Sequence, residues 1–83
     1  MPTIEIYTKA NCPYCEWAKD LLRKKKAAYT EFRIDLDPNA LAQMQSRTTG
    51  RTVPQIFINN QHIGGFDDLS ALDRAGKLDE LLR

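Results

Sequence analysis

The strongest constraint on this chain is a close pair of cysteines, placed where a strand pattern changes into a helix pattern. Ile4 and Ile6 alternate with more polar neighbours, which is typical of a short β-strand. Pro13, directly after Cys12, suits the first position of a helix, where its missing N–H would have no partner. Helical spacing of apolar residues then predicts one buried stripe, at Tyr14, Ala18, Leu21 and Leu22. A strand therefore leads directly into a helix at the cysteines.

The rest of the chain continues to alternate strands and helices. Phe32, Ile34 and Leu36 alternate with charged residues, which predicts a second strand with one face in water. Asp37 followed by Pro38 predicts a capped second helix. Next come a loop at residues 46–52, a buried strand at 55–58, a turn at 59–60 and a strand at 61–63. The prediction is completed by a break at residues 64–65, a third helix ended by Gly76, and a last helical turn or two at 78–82.

This order, β-α-β-α-β-β-α, predicts an α/β fold. The opening βαβ unit is expected to be parallel and the last two strands to form a hairpin. Together they give a four-stranded mixed sheet with helices on both faces. With 83 residues, we expect one domain, residues 1–83. A C-x-x-C motif that follows a strand in such a unit is typical of thioredoxin-like redox proteins.

Charge and hydropathy argue against two classes of partner. The formal net charge is +1, which favours neither nucleic acid nor an anionic membrane surface. The basic run at residues 23–26 is interpreted as charge that complements the end of a helix. The sequence has no signal-peptide pattern and no apolar run of about 20 residues. We therefore expect a cytoplasmic protein, and we expect it to be a monomer.

Cys12 and Cys15 are predicted to carry chemistry. Free N–H groups at the helix start favour the thiolate of Cys12, and Lys9 adds a cation nearby. Cys15 lies one helical turn on, near enough for a disulfide, so Cys12 is the expected nucleophile and Cys15 the resolving thiol. A structural disulfide is disfavoured, because so short a loop constrains little of the unfolded chain. Structural zinc usually needs four protein ligands, and His62 is distant in sequence, so no metal is expected.

Four short motifs give the chain a resemblance to a known family. They are Tyr7-Thr8-Lys9, Cys12-Pro13-Tyr14-Cys15, Thr52-Val53-Pro54 and Gly64-Gly65-Phe66-Asp67-Asp68. In this order, and in a chain of this length, they resemble the dithiol glutaredoxins with a C-P-Y-C motif. The similarity is greatest to the small bacterial glutaredoxin 3 group, and it covers nearly the whole chain.

The resemblance implies a glutathione-binding groove beside the cysteines. It implies a cis bond between Val53 and Pro54, with the main chain of Val53 paired to the cysteinyl unit of glutathione. From the residues alone, a strand-initiating proline is the alternative. Tyr14 would flank the mixed disulfide.

The segment at residues 64–68 also has a physical reason of its own. Two glycines let a backbone approach a ligand closely, and N–H groups at a helix start bind anions. In the family, N–H groups at the positions of Phe66 and Asp67 hold the γ-glutamyl carboxylate, and an aspartate faces its ammonium group. Asp67 and Asp68 are equally suited to cap the helix, and one can cap it while the other bonds the ligand. Phe66 departs from the family, where a cysteine or a small polar residue is common.

The glycine carboxylate of glutathione needs a cation at the other end of the groove. By the resemblance, Lys9 is the best match, Arg51 is second and Arg47 is a weaker candidate. The implied binding residues are Lys9, Tyr14, Arg51, Thr52, Val53, Pro54, Gly65, Phe66, Asp67 and Asp68.

The expected function is glutathione-dependent thiol–disulfide exchange. The resemblance implies an enzyme that reduces protein disulfides and glutathione mixed disulfides, with glutathione as co-substrate and no tightly bound cofactor. Its protein partners would be disulfide-containing or glutathionylated proteins. The alternative is a carrier of an iron–sulfur cluster ligated by Cys12 and glutathione, although such carriers usually have a C-G-F-S motif. A thioredoxin-type reductase is a second rival, disfavoured because thioredoxins are longer and usually have W-C-G-P-C.

Overall fold

A four-stranded mixed sheet forms the centre of the structure. The computed structural model describes residues 2–83. Its elements are β1 (Ile4–Thr8), α1 (Pro13–Lys24), β2 (Thr30–Arg33), α2 (Pro38–Arg47), β3 (Gln55–Ile58), β4 (Gln61–Gly64), α3 (Phe66–Arg74) and α4 (Lys77–Leu81). The spatial order is β2-β1-β3-β4, with β1 parallel to β2 and β3 antiparallel to both β1 and β4. The predicted mixed sheet of an α/β, thioredoxin-like fold is confirmed.

The sheet buries an apolar cluster on each face. One cluster is aliphatic, involves α1, α3 and α4, and contains Ile4, Ile6, Ala18, Leu22, Ile56, Ile58, Leu69 and Leu78. The other is smaller, involves α2, and contains Tyr7, Met44 and Phe57. Successive side chains of a strand point to opposite faces, which is why Ile6 and Tyr7 belong to different clusters. Helices therefore cover both faces, as predicted.

The cap of α2 and the turn between β3 and β4 were correctly predicted from short sequence patterns. The side chain of Asp37 accepts a hydrogen bond from the Asn39 N–H at 2.9 Å and caps α2. Asn59 and Asn60 form the turn between β3 and β4 with φ values of 52° and 65°. Asparagine tolerates this left-handed region better than most residues, so the predicted two-residue turn is confirmed.

The second strand is shorter than its alternating pattern predicts. β2 ends at Arg33, although the Ile34 N–H still donates to the Thr8 carbonyl at 2.9 Å. The chain then turns, because the Leu36 N–H donates back to the Arg33 carbonyl, and Leu36 is exposed. The prediction that the strand reaches Leu36 was wrong. The alternation continues into a turn, where it no longer indicates burial.

Two helix predictions also need correction. The buried stripe of α1 begins at Cys15 and continues through Ala18, Lys19 and Leu22, so Tyr14 was wrongly placed in it. α2 continues to Arg47, so the loop predicted from residue 46 begins two residues later. None of the helices in residues 2–83 is long and apolar enough to span a bilayer.

Candidate active site

Cys12 and Cys15 are joined by a disulfide at the N-terminus of α1. Cys12 is the N-cap residue, and its Sγ accepts a hydrogen bond from the Cys15 N–H at 3.2 Å. The first N–H groups of a helix have no carbonyl partner within it, so they are available to stabilise a thiolate. Cys15 is fully buried, whereas Cys12 is 9% exposed. A thiol arriving from solvent therefore meets the sulfur of Cys12 first.

The turn that precedes Cys12 is held by Asp35. Its carboxylate accepts the Ala10 N–H at 3.1 Å, and the Arg33 guanidinium donates to both carboxylate oxygens at 2.8 and 2.7 Å. The hydrogen bonds from Arg33 hold the pKa of Asp35 well below its usual range. The carboxylate is therefore charged at neutral pH, and its hydrogen bond from the Ala10 N–H holds the active-site turn in place.

A charged network that the sequence did not indicate ties α1 to β2. Lys19 is almost completely buried, and its Nζ lies 2.8 Å from a carboxylate oxygen of Glu16 and 3.0 Å from one of Glu31. The Thr8 hydroxyl donates to the same oxygen of Glu31 at 2.6 Å. Hydrogen bonds to Glu16 and Glu31 raise the pKa of Lys19 against the opposing effect of burial. Burial acts to raise the pKa of Glu31, but the bonds from Thr8 and Lys19 prevail and lower it.

An open groove of about 610 Å³ runs beside the cysteines. Residues 48–50 and 52–55 form one side and residues 64–68 the other, with Tyr14 and His62 also lining it. All of the predicted binding residues except Lys9 and Arg51 line this groove. The Val53–Pro54 bond is cis, as the resemblance implied, and the Val53 carbonyl oxygen lies 3.8 Å from Cys12 Sγ.

Gln55 organises the first side of the groove from within the sheet. It is buried, and its Nε2 donates to the Thr52 carbonyl at 3.0 Å. Its Oε1 lies 2.6 Å from His62 Nε2 on the neighbouring strand. A side chain at Gly50 would meet Gln55 Nε2, so this glycine lets the loop approach. Gln55 thus joins β4 to the segment that precedes the cis bond.

The second side of the groove is the N-terminus of α3. The Asp68 carboxylate reaches back to accept the Gly65 N–H at 3.1 Å and caps the helix. The first N–H groups of the helix, at Phe66 and Asp67, have no helical carbonyl to bond and can receive an anion. Asp67 is exposed on the same turn. Of the two aspartates, the structure therefore gives the cap to Asp68.

The three candidate cations lie in different places. Lys9 lies in a separate hollow beside Cys12, and Arg51 lies in another with Gln45 and residues 48–50. Arg47 does not line any of these hollows and pairs with the Glu5 carboxylate at 3.0 Å. It also lies over the Phe57 ring, 3.8 Å from its centroid. These contacts commit Arg47 to packing, which weakens it further as a ligand for glutathione.

Gln55 and His62 line the groove but were missed as site residues by the sequence analysis. Gln55 is the single polar residue of an otherwise apolar strand, and that contrast was an available signal. His62 is exposed, and its ring also packs on Phe57. No signal in the sequence pairs it with Gln55. Among residues 2–83, no three histidine, cysteine, aspartate or glutamate side chains converge as ligands for a metal ion.

The amino-acid sequence that forms this groove is similar to those of known proteins. The glutaredoxin family model matches residues 4–63. The chain is 52% identical to glutaredoxin 3 of Escherichia coli K12 over 83 residues, which is the full length of both proteins. It is 50% identical over 82 residues to a glutaredoxin of Pseudomonas aeruginosa, which covers 99% of this chain and 98% of that protein.

The fold is also similar to those of solved glutaredoxin structures. The crystal structure of a buckwheat glutaredoxin–glutathione complex superimposes with a TM-score of 0.88 at 32% identity, covering 98% of this chain and 76% of the other. The solution structure of a glutaredoxin from Brucella melitensis gives a TM-score of 0.82 at 49% identity, covering 96% and 87%.

Proposed function

Because this chain belongs to the glutaredoxin family and is a glutathione-dependent thiol–disulfide oxidoreductase, we propose that Cys12 is its nucleophile and Cys15 its resolving thiol. The position of Cys12 Sγ carries this assignment: it caps α1 and accepts the Cys15 N–H. The complete burial of Cys15 supports the second role, because a buried thiol meets its partner disulfide only after Cys12 has reacted.

The proposed cycle on a glutathionylated protein begins with the thiolate of Cys12. It attacks the glutathione sulfur of the mixed disulfide, a Cys12–glutathione bond forms, and the protein thiolate leaves and takes a proton from water. A second glutathione thiolate then attacks the glutathione sulfur on Cys12. This step releases oxidised glutathione and restores the Cys12 thiolate. The protein thiol is released in its reduced form, and one glutathione thiol is oxidised as it joins the glutathione of the mixed disulfide in oxidised glutathione.

Substrates with an internal disulfide use both cysteines. Attack by Cys12 leaves the substrate bonded to Cys12 Sγ and releases its other sulfur as a thiolate. Cys15, after losing its proton, attacks Cys12 Sγ and closes the Cys12–Cys15 disulfide, which frees the reduced substrate. Two molecules of glutathione later reduce that disulfide.

The groove is proposed to hold glutathione along its whole length. The N–H and carbonyl of Val53 pair with the cysteinyl unit, close to Cys12 Sγ, which the 3.8 Å approach of the Val53 oxygen supports. Thr52 and Pro54 shape that wall, and Tyr14 flanks the mixed disulfide.

The two ends of glutathione require different binding groups from the protein. Gly65 and the free N–H groups of Phe66 and Asp67 receive the γ-glutamyl carboxylate, while the Asp67 side chain faces the ammonium group. Asp68 supports this end indirectly, by capping α3. Lys9 is the first candidate for the glycine carboxylate, and Arg51 is the second. Both are exposed; Lys9 shares a hollow with Cys12, and Arg51 precedes Thr52 of the groove.

We assign the protein to the cytoplasm, as a monomer without a tightly bound cofactor. The cycle consumes reduced glutathione, and reducing compartments maintain that pool. Its partners in this setting are glutathione and disulfide-containing or glutathionylated proteins.

Turnover of a glutathione mixed disulfide, coupled to glutathione reductase and NADPH, tests the assignment. We expect Cys12→Ser to lower turnover by more than about a thousandfold, because the nucleophile is lost. Cys15→Ser is the matched control and should retain deglutathionylation while losing reduction of internal protein disulfides. Activity that survives Cys12→Ser would overturn the assignment, as would a Cys15→Ser variant that cannot remove glutathione.

A further inference from the structure

Two large hydrophobic side chains are left exposed beside the cysteines. Tyr14 is 52% exposed and Trp17 is 49% exposed, although both lie on α1, whose other face is in the core. Leu36, which lies in the turn after β2, is the third exposed large hydrophobic residue of the described chain. Single exposed hydrophobic residues are common on protein surfaces, whereas a cluster of exposed aromatic residues near a reactive sulfur indicates a binding surface.

Tyr14, Trp17 and Phe66 form one continuous aromatic surface. The Trp17 ring meets the Tyr14 ring edge-on, with centroids 5.1 Å apart, and its centroid lies 5.8 Å from that of Phe66. The Tyr14 and Phe66 centroids are 6.3 Å apart. Phe66 also packs against the aliphatic cluster of the sheet, so it anchors the surface to the core. The three rings thus support one another and present a shaped apolar face to solvent.

The aromatic surface lies partly inside the groove and partly beyond it. Tyr14 and Phe66 line the groove, whereas Trp17 lies outside it and adds a third ring to the apolar face. A protein whose disulfide is attacked by Cys12 must bring its sulfur to within bonding distance of Cys12 Sγ. Its neighbouring side chains are then within reach of Tyr14, two residues from Cys12.

The charges beside the aromatic surface do not select the sign of a bound segment. Glu16, before Trp17, is paired with Lys19 Nζ at 2.8 Å, and the proposed function turns Asp67 toward the ammonium group of glutathione. Apolar contact with the rings therefore distinguishes one segment from another. A tripeptide such as glutathione, held in the groove by its backbone, does not need the outlying ring of Trp17.

We propose that Tyr14, Trp17 and Phe66 bind an apolar side chain that flanks the half-cystine of a glutathionylated protein substrate. This specificity rests on the proposed function of the groove. The contact is made before the Cys12 sulfur bonds to the glutathione sulfur and the protein thiolate leaves. It therefore raises kcat/KM for the protein substrate and leaves the reaction of a small mixed disulfide unchanged.

Two glutathionylated peptides that differ only in a leucine or a serine beside the cysteine test the proposal. We expect the wild type to favour the leucine peptide in kcat/KM by about tenfold. Trp17→Ala should reduce that preference to about twofold, and Trp17→Phe should restore part of it. Leu36→Ala, which removes an exposed apolar side chain elsewhere, is the matched control and should keep the full preference.

A third substrate separates this proposal from the function on which it rests. The mixed disulfide of 2-mercaptoethanol and glutathione has no peptide to contact the aromatic surface, and we expect Trp17→Ala to turn it over at the wild-type rate. Equal kcat/KM for both peptides in the wild type, or an unchanged preference in Trp17→Ala, would overturn the aromatic site. An equal loss on all three substrates in Trp17→Ala would do the same. Failure of the wild type on the small mixed disulfide would overturn the proposed function instead.

Discussion

The two sides of the groove, the loop wall at residues 48–55 and the helix wall at residues 64–68, are held by different kinds of hydrogen bond. In the loop wall, the buried Gln55 side chain donates to the Thr52 carbonyl, three residues away in sequence, and also meets His62 on the next strand. In the helix wall, the Asp68 side chain accepts the N–H of Gly65, also three residues away. Both walls thus contain a local hydrogen bond, but the side chain that holds the loop wall is also tied to a neighbouring strand.

This difference bears on how each wall presents its backbone to a ligand. The loop wall presents the main chain of Val53 beside Cys12, and its position follows from the sheet beneath it. The helix wall presents the first N–H groups of α3, which any well-capped helix would present. A change to the cap of α3 should therefore act locally, whereas a change at Gln55 should also reach β4 through His62.

The largest effect is expected for Gly64→Ala, which tests the helix wall. Gly64 has φ +118°, a conformation that L side chains rarely adopt, and a Cβ there would overlap the Asp68 carboxylate. We expect the free energy of unfolding to fall by about 2–4 kcal/mol through backbone strain and loss of the cap. Urea denaturation measures this, and the KM for glutathione should rise in parallel.

Gly76→Ala is the matched control for Gly64→Ala. Gly76 also has a positive φ, +74°, but a Cβ there would have no atom within 4 Å. Its expected loss of about 1 kcal/mol reports the left-handed backbone alone. An equal loss at the two positions would mean that the Asp68 carboxylate does not require a glycine at 64.

Gln55→Glu tests the loop wall and should have an intermediate effect. The substitution keeps the shape of the side chain but replaces the N–H donor, so the Thr52 carbonyl faces an oxygen. We expect the free energy of unfolding to fall by about 1–3 kcal/mol, because a partly buried acceptor loses its partner. The KM for glutathione should rise because the Val53 segment is no longer fixed.

Gln61→Glu makes the same chemical change at an exposed position of β4. We expect it to leave both the unfolding free energy and the KM for glutathione near the wild-type values. If Gln55→Glu behaved like Gln61→Glu, the idea that the sheet positions the loop wall would be wrong.

The smallest effects separate the two aspartates of the helix wall. Asp68→Ala removes the cap and should lower the unfolding free energy by about 1 kcal/mol. Asp67→Ala should leave stability within about 0.5 kcal/mol, because the side chain is exposed. Its KM for glutathione should nevertheless rise by about tenfold, since a charged contact to the ammonium group is lost. The reverse pattern, with the stability loss at Asp67, would exchange their roles.

Much of the helix wall could be predicted from the sequence, and much of the loop wall could not. Gly64, Gly65 and Asp68 lie within five residues, so the pattern that requires them is visible in a short window. Gln55 and His62 meet only because β3 pairs with β4. The resemblance to a family placed residues 52–54 at the site, but the residues alone allowed an ordinary strand-initiating proline there.

The same distinction explains the wrong predictions. Leu36 continues an alternating pattern, but the chain has already turned away from the sheet at Arg33. Tyr14 fits the helical spacing of the stripe, yet the face of α1 that meets the sheet begins at Cys15. In both cases the periodicity was real, and the position of the element against its neighbours decided which side chains were buried.

The sequence by itself determined the order of the elements, the cap of α2, the turn at residues 59–60 and the place of Cys12 at a helix N-terminus. Each depends on bonds between residues a few positions apart, which a local pattern records. The tertiary structure alone decided that Lys19 is buried against Glu31, that Gln55 meets His62, and that Trp17 meets Phe66. Those contacts join different helices and strands, so strand register and helix packing had to place them first.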